Sequence, residues 1–252
     1  MKNIKRLVVM SFILLIVAGS MAMTSDKAIS WGLTHRNNET TPGIPAGASE
    51  LLAEYEGLYV GDTAQKKIYL TFDLGYEAGY TAEVLDILKA NNIKGVFFLC
   101  GHYLNETDLV NRMIDEDHSI GNHTDKHKNL PNLSEEGIKK DIADFAEKFT
   151  TAFGDKNHAI TFFRPPQGKL DRKTVRIAKD EDLRTMMWSI AIKDWGKEPI
   201  LSTSNAELMT KRIHPGAIIL LHITNAGTPK MIEQFIPMAL EKGYTFGTSA
   251  EL

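Results

Sequence analysis

Ionisable side chains stand at the ends of several apolar stretches in this sequence. Asp73, Arg164 and His222 each follow such a stretch directly, and His123 and His127 follow another within a few residues. Burying these groups at separate places would cost free energy at each of them, because charged and polar groups are stable inside a protein only when they are paired. A shared site is the simpler arrangement, and perturbed ionisable groups are typical of functional sites. The sequence therefore predicts one site assembled from the ends of several strands.

His123 and His127 are separated by three residues. On one turn of a helix this spacing would place both imidazoles on the same side, which is the usual geometry of two ligands to one divalent ion. Imidazole suits zinc, cobalt, nickel and iron. The pair alone is equally typical of two surface histidines on a polar loop, so the metal interpretation depends on the residues around it.

Four residues offer acid–base chemistry, and each has an ordinary structural alternative. Asp73 can act as a general base or a ligand, or it can form a turn. Arg164 precedes the stiff pair Pro165-Pro166, which would hold it in place. It can keep a carboxylate ionised, or it can form a plain salt bridge. Asp194 can hydrogen-bond one ring nitrogen of His222 and raise its pKa, which would make His222 a general acid. Otherwise His222 is a satisfied core histidine.

Segments with strand-like and helix-like periodicity alternate from residue 66 onward. The predicted strands are 68–73, 94–100, 118–122, 160–164, 183–190, 217–222 and 244–247. The predicted helices are 82–90, 106–116, 135–153, 172–179, 206–213 and 231–242, with Asn105 and Ser134 as N-caps of the second and third. About seven such units predict an α/β fold, a distorted (β/α) barrel of parallel strands with its chemistry at the carboxyl ends of the strands.

The N-terminal part of the chain differs from the rest. Three basic residues precede an apolar run, and small residues follow it up to Ala22. This pattern predicts a secretory signal peptide at 1–22, with an uncleaved membrane anchor as the alternative. Residues 23–47 lack periodicity and are interpreted as a linker or N-terminal arm that Trp31 tethers, and 48–252 as a single catalytic domain.

Composition and charge restrict the class of protein. The 252 residues are 43% hydrophobic and 24% charged, which is typical of a globular domain with a full core. Loss of residues 1–22 would remove three positive charges and no negative ones, so the formal net charge would move from −3 to −6. An acidic protein of this kind is not expected to bind nucleic acid. Cys100 is the only cysteine, so no intramolecular disulfide can form, and its apolar surroundings predict a buried thiol.

Taken in order, these pieces resemble the motifs of the polysaccharide deacetylases, carbohydrate esterase family four, which share the nodulation-type deacetylase domain. The resemblance extends from about residue 51 to the C-terminus and rests on five motifs, at 71–77, 123–127, 164–168, 194–195 and 220–222. The sequence is closer still to the delta-lactam-forming peptidoglycan N-acetylmuramic acid deacetylases of spore-forming bacteria, through residues 68–77, 121–123, 164–166 and 214–222.

The resemblance implies that six residues form an active site: Asp73 as catalytic base, Arg164 as the residue that orients it, His222 as catalytic acid, Asp194 as the residue that tunes it, and His123 and His127 as metal ligands. In the implied mechanism a divalent metal, expected to be zinc, activates a water whose proton the base takes. The acid then protonates the leaving amine as acetate departs. A backbone N–H near Tyr76 would help to hold the oxyanion.

Two positions depart from the family pattern. Family members generally carry two adjacent aspartates in the first motif, and the second completes the metal site, whereas this chain has Leu74 there. Leucine cannot ligate, so water, Asp73, or another carboxylate such as Glu77 or Asp125 would have to complete the shell, unless no metal is used. We expect water to complete it and the ion to be weakly bound. Gln167 stands where many relatives have tyrosine.

The implied reaction removes acetyl from N-acetylmuramic acid in peptide-stripped peptidoglycan, which enables muramic delta-lactam formation in the spore cortex. The partners would be the peptidoglycan glycan strand and, functionally, a peptide-removing amidase, and the protein would be secreted or held on the outer face of the cell membrane. One alternative is a deacetylase of N-acetylglucosamine polymers. Another is a catalytically inactive glycan-binding protein of the cell wall, which Leu74 permits. The base and acid residues count against the inactive protein, because binding needs neither.

Overall fold

Strands and helices alternate through most of the chain, as the periodicity predicts. The computed structural model describes residues 27–35, 39–156, 158–196 and 198–252, so the predicted signal peptide lies outside the described residues. The helices of these residues are α1 (Ala48–Glu54), α2 (Thr81–Ala90), α3 (Thr107–Asp115), α4 (Glu135–Phe153), α5 (Arg172–Asp180), α6 (Ser202–Arg212) and α7 (Thr228–Glu241). The strands are β1 (Ile29–Ser30), β2 (Lys67–Leu74), β3 (Val96–Leu99), β4 (Ser119–Asn122), β5 (Phe162–Phe163), β6 (Lys169–Leu170), β7 (Arg184–Thr185), β8 (Ile190–Ala191), β9 (Ile218–Leu221) and β10 (Thr245–Phe246).

The main sheet is parallel throughout and runs in the order β7-β5-β4-β3-β2-β9-β8, with β10 paired to the start of β2. β1 and β6 form a separate antiparallel pair. None of the helices among the described residues is long and apolar enough to cross a membrane. The seven-stranded path agrees with the predicted distorted barrel.

The sheet curls until its two edge strands approach each other. β7 and β8 lie at opposite ends of the strand order, yet only residues 186–189 separate them in the chain. Extended chain of that length spans about 17 Å at most, whereas seven strands laid flat would put the edges about 29 Å apart. The single strand predicted at 183–190 is therefore wrong, because the segment changes from one edge of the sheet to the other in its middle.

The two faces of β2 have different neighbours, because successive side chains of a strand point to opposite faces. Ile68, Leu70, Phe72 and Leu74 belong to the large apolar cluster that also contains residues of α2, so this face packs against the helices. Tyr69 belongs to a smaller apolar cluster inside the curled sheet. The side chains of Thr71 and Asp73 point to the same face as that of Tyr69. Both accept hydrogen bonds from the Arg164 guanidinium inside the barrel.

Helix ends follow the predicted caps in one case and not in another. α4 begins where the sequence predicts, because the Ser134 hydroxyl accepts a hydrogen bond from the backbone N–H of Gly137. The cap predicted at Asn105 is wrong, since this residue closes a 3₁₀ turn, Gly101–Asn105, and α3 starts at Thr107 without a side-chain cap. The short helix α1 was not predicted from the periodicity.

The described part of the N-terminal arm lies against the domain. Ile29 and Ser30 pair with β6, and the Trp31 ring N–H donates to the carbonyl oxygen of Trp188 at 3.0 Å. The Trp31 ring also meets the rings of Tyr59 and Trp188 edge-on, with centroids 5.6 and 6.2 Å apart. Trp31 therefore fastens the arm, in agreement with the expectation from the sequence.

Candidate active site

The carboxyl ends of neighbouring parallel strands bring the predicted site residues to one edge of the sheet. Asp73 is the last residue but one of β2, and His123, Arg164 and His222 directly follow β4, β5 and β9. Phe72 and Leu221 are register partners, so Asp73 and His222 come next to each other in adjacent strands. Asp194 follows β8 by three residues and joins the same group through His222.

Arg164 is fully buried, and groups of the barrel interior surround its guanidinium. Nη1 donates to Oδ1 of Asp73 at 2.9 Å and to Oγ1 of Thr71 at 2.8 Å. Nε donates to the carbonyl oxygen of Met186 at 2.9 Å, and Nη2 to that of Met187 at 3.3 Å. The planar fork of arginine matches this spread of acceptors, and a compact ammonium would not. The buried charge is thus both paired and hydrogen-bonded.

An aromatic ring supports the guanidinium from one side. The guanidinium carbon of Arg164 lies 4.1 Å from the ring centroid of Phe98 on β3, a cation–π contact. Phe98 in turn needs the glycine on the next strand, because a Cβ at Gly121 would lie 2.4 Å from its ring. The absence of a side chain at Gly121 therefore lets Phe98 occupy the position beneath Arg164.

Asp73 is held as a carboxylate. Burial alone would raise the pKa of this side chain, but the charge of Arg164, followed by His123 and His222, lowers the pKa below its ordinary value. Oδ1 accepts from Arg164, while Oδ2 lies 3.6 Å from Nε2 of His123. An ionised oxygen thus faces the histidine cluster and can accept a proton.

The ring of His123 is oriented by a backbone group. Its Nδ1 lies 2.8 Å from the carbonyl oxygen of Arg164. A carbonyl oxygen only accepts, so Nδ1 carries the hydrogen and Nε2 keeps its lone pair. Burial lowers the pKa of His123 to about 4, which leaves the imidazole neutral at neutral pH. A histidine that donates one ring N–H to a carbonyl and offers the other nitrogen is typical of a metal ligand.

His127 comes close to His123, as two ligands of one ion would, but through a bend of the backbone rather than through a helical turn. Thr124 and His127 have φ angles of 64° and 52°, and the segment between them is a non-helical bend. The two imidazole centroids nevertheless lie 5.0 Å apart. Partial burial lowers the pKa of His127 as well. Two neutral imidazoles side by side fit a divalent cation, because neutral imidazole nitrogen is one of its usual ligands, and the negative charge of Asp73 nearby favours the cation.

His222 and Asp194 form a second tuned pair. Nδ1 of His222 lies 2.9 Å from Oδ1 of Asp194, and the backbone N–H of His222 donates to Oδ2 at 2.6 Å. Burial would lower the pKa of His222, but the hydrogen bond and charge of Asp194, together with the charge of Asp73, raise it above its ordinary value. Asp194 is fully buried, whereas His222 is part-exposed, so its other ring nitrogen can reach a bound substrate.

The two carboxylates considered as replacement ligands are bonded elsewhere. Glu77 caps the start of α2 by accepting from the backbone and hydroxyl of Thr81, and it also accepts from the hydroxyl of Tyr103 at 2.7 Å. Asp125 pairs with Lys148 at 2.5 Å and with Lys126 at 2.9 Å. Both carboxylates therefore already have strong partners.

The two departures from the family pattern lie in different surroundings. Leu74 is fully buried in the helix-facing apolar cluster, on the face of β2 opposite to Asp73. The Leu74 side chain therefore packs in the core and does not face the candidate active site. Gln167 is exposed and has a φ of 60°, in the turn that follows Arg164.

A cavity of about 420 Å³ adjoins the histidine pair. It is lined by His127, Gly75 and Cys100 on the side of the site, and by the residues of the Lys126–Asp125–Lys148 cluster on the other. Neither lysine was singled out from the sequence: Lys126 stands inside the 123–127 motif between the two histidines, and Lys148 belongs to α4, away from the motifs. Both pair with Asp125 beside the cavity, and Asp141 and Asp144 add negative charge near Lys126.

Comparison with known proteins identifies the family. Residues 60–186 match the family model described as polysaccharide deacetylase. The chain is 36% identical over 233 residues to an uncharacterised 30.6 kDa protein of Geobacillus stearothermophilus. The aligned region covers 92% of this chain and 87% of that protein. The chain therefore belongs to the polysaccharide deacetylase family, and it is a hydrolase of the class that acts on amide bonds.

Two further relatives carry names that state a substrate. The chain is 33% identical over 242 residues to the peptidoglycan-N-acetylmuramic acid deacetylase PdaA of Bacillus subtilis, covering 94% of this chain and 91% of PdaA. The solved structure of PdaA, a family 4 carbohydrate esterase, matches with a TM-score of 0.85 over 90% of this chain and 97% of that one. A peptidoglycan-N-acetylglucosamine deacetylase of Bacillus cereus is 30% identical over 200 residues, covering 77% and 71%.

We expect Arg164→Ala to lower the free energy of unfolding by about 3–5 kcal/mol, because it leaves the Asp73 carboxylate buried without its partner. Arg164→Lys should lose less, since it keeps a charge but cannot reach all four acceptors. Denaturant unfolding of the three proteins measures the difference. Equal stability of Arg164→Ala and the unchanged protein would contradict the structural importance of this ion pair.

Proposed function

We propose that this deacetylase removes the acetyl group from N-acetylmuramic acid in peptidoglycan whose peptides have been cut off. The free amine would then condense with the lactyl carboxyl group, with loss of water, to give a muramic delta-lactam, the modification of the spore cortex. The observation that carries the catalytic part is the opposite tuning of two adjacent groups: Asp73 has a lowered pKa and His222 a raised one. Such a pair is what a reaction needs that takes a proton at one atom and returns one at another.

The residues have distinct tasks in this reaction. A divalent ion, expected to be zinc, would be held by His123 and His127 and would supply polarisation of the acetamide carbonyl and a lowered pKa of water. The Asp73 carboxylate, kept in position by Arg164, accepts the proton of the attacking water. As the C–N bond breaks, His222 gives its proton to the leaving nitrogen, and acetate and a free amine result. A backbone N–H near Tyr76 is the proposed donor to the oxyanion.

The choice of muramic acid is supported by the relationship to PdaA and by the cavity beside His127. Muramic acid without its peptide carries a free lactyl carboxylate, which glucosamine lacks. Lys126 and Lys148 line the cavity and both pair with Asp125, so a substrate carboxylate that enters the cavity would meet two cationic side chains. A peptide on the lactyl group would remove the charge that these lysines bind.

The proposed place of action follows from the substrate. Peptidoglycan lies outside the cytoplasmic membrane, so we place the protein there, with residues 1–22 as its signal peptide or anchor. The substrate must first lose its peptides, which requires an amidase acting earlier. Association with sporulation belongs to the same proposal.

The relationship to the Bacillus cereus deacetylase favours a second candidate substrate, N-acetylglucosamine polymers. An inactive glycan-binding protein is less consistent with the site. Such a protein has no use for an ionised aspartate beside a histidine of raised pKa.

Asp194→Asn should move the basic limb of the pH–activity profile to lower pH. The reaction needs His222 protonated, so activity falls as pH rises through the pKa of His222, and Asp194 raises that pKa. Removing the negative charge lowers the pKa and brings the fall to lower pH. Asp171→Asn, a change at the cap of α5, should leave the limb in place. An unchanged limb in Asp194→Asn would show that His222 is not the acid.

Exhaustive chelation should abolish acetate release, and zinc or a similar ion should restore it. His123→Ala should behave like the chelated enzyme because it removes the ring nitrogen that the Arg164 carbonyl orients. Elemental analysis alongside the activity assay checks both points. Full activity of a metal-free protein would overturn the proposed metal dependence.

We expect acetate release from peptide-stripped glycan strands and little from intact peptidoglycan or chitin oligomers. Lys148→Gln should lower the rate on the stripped strands about tenfold, because a hydrogen bond to a charged group contributes about 1.5 kcal/mol. Lys140→Gln is the matched control, since Lys140 lies on the same helix and pairs with Asp144. Mass spectrometry of the digested glycan identifies the sugar that lost acetyl, and loss mainly from glucosamine would favour the second candidate.

A further inference from the structure

The metal site of this chain lacks the aspartate that its family provides, and a neighbouring strand offers a different donor. We propose that Cys100 is the third protein ligand of the metal, so that a thiolate and the imidazoles of His123 and His127 form one site. The inference deepens the proposed function and rests on it, since it specifies how that function's metal would be held.

The three donor atoms already lie together. Sγ of Cys100 and one ring nitrogen each of His123 and His127 are all within 4.8 Å of one another. In a tetrahedral zinc site with Zn–S of about 2.3 Å and Zn–N of about 2.0 Å, the donors stand roughly 3.5 Å apart. Small rotations about the side-chain bonds of Cys100 and His127 suffice to close the remaining distance.

Strand parity explains why Cys100 faces the site and Leu74 does not. Val96 and Phe98 of β3 point into the barrel, and Phe97 and Leu99 point to the helices. Cys100 comes two residues after Phe98, so its side chain also points into the barrel. Its backbone N–H donates to the carbonyl oxygen of Leu74, which fixes the two strand ends side by side.

The environment of the thiol suits ligation better than any other role. Cys100 is 2% exposed and has one weak contact, from Sγ to the carbonyl oxygen of His123 at 3.5 Å. Burial raises the pKa of the thiol, and the nearby charges of Asp73, Asp141 and Asp125 raise it further, so it is a poor free nucleophile. The negative charge of Asp73, which lies beside His123, also favours a cation at this place.

The binding step is balanced in protons. The S–H bond of Cys100 breaks, an S–metal bond forms, and the proton passes to solvent. Both histidines are already neutral and lose nothing. The fourth position stays open toward the cavity that Cys100 and His127 line, which leaves room for a water or the acetamide oxygen. A sulfur donor also makes the site prefer zinc and cobalt over magnesium and manganese.

Cobalt(II) binding to the full-length protein tests the inference, because thiolate–cobalt bonds give a charge-transfer band in the near ultraviolet and imidazole–cobalt bonds do not. Cys100 is the only cysteine, so such a band has one possible source. The band should appear on titration with cobalt and be absent in Cys100→Ser. Competition with a chromophoric chelator should show at least about a tenfold loss of zinc affinity in Cys100→Ser, since even outer-sphere partners of ligands are worth that much.

His102→Gln is the control, because His102 lines the same cavity but is not among the three donors. It should keep the band and the zinc affinity. Cobalt bound by the unchanged protein without the band, or no cobalt binding at all, would overturn the inference, and neither outcome requires Cys100→Ser to fold. Acetate release is measured separately: a protein that deacetylates but shows no band retains the proposed function and loses only the Cys100 ligand.

Discussion

The buried ion pair of Arg164 and Asp73 is the interaction on which the site depends. A guanidinium with no exposed surface is costly to desolvate, and its burial is tolerated only because a carboxylate and further acceptors surround it. The barrel interior supplies these partners from β2 and from the segment that joins β7 to β8. In return the charge of Arg164 lowers the pKa of the Asp73 carboxyl, which burial alone would raise.

The same arginine orients His123 through its backbone. The carbonyl oxygen of Arg164 fixes the ring hydrogen of His123 on Nδ1, so one residue orients Asp73 with its side chain and His123 with its main chain. Phe98 supports the guanidinium, and Gly121 makes room for Phe98. Contacts of Arg164 thereby connect the ends of β2, β3 and β5, and Phe98 packs against β4 at Gly121. Groups held in place in this way are what electrostatic preorganisation of a site requires.

Sequence patterns were sufficient for the parallel barrel and for the strand ends that carry the candidate residues, because apolar periodicity and caps such as Ser134 are local signals. Sequence patterns were insufficient where the position of a side chain depends on a backbone bend or on packing against distant residues. The spacing of His123 and His127 could have meant a metal pair or two loop histidines, and only the positive φ angles at Thr124 and His127 show how the backbone bends to bring the rings together. From the sequence, Leu74 was a missing metal ligand. In the structure its side chain packs with the other residues on the helix-facing side of β2. The position of Cys100 could have been found by carrying the alternation of β3 one residue further.

The short passage from β7 to β8 also constrains how the chain can reach its native state. Arg164 holds the carbonyl oxygens of Met186 and Met187 inside this passage, and it bonds Thr71 across 93 positions of sequence. Closure of the curled sheet and assembly of the charged centre therefore depend on each other, since neither set of contacts is complete without the other. Contacts between residues so far apart in sequence close long loops, and topologies rich in such contacts fold slowly. The candidate catalytic centre is thus complete only when the sheet has closed.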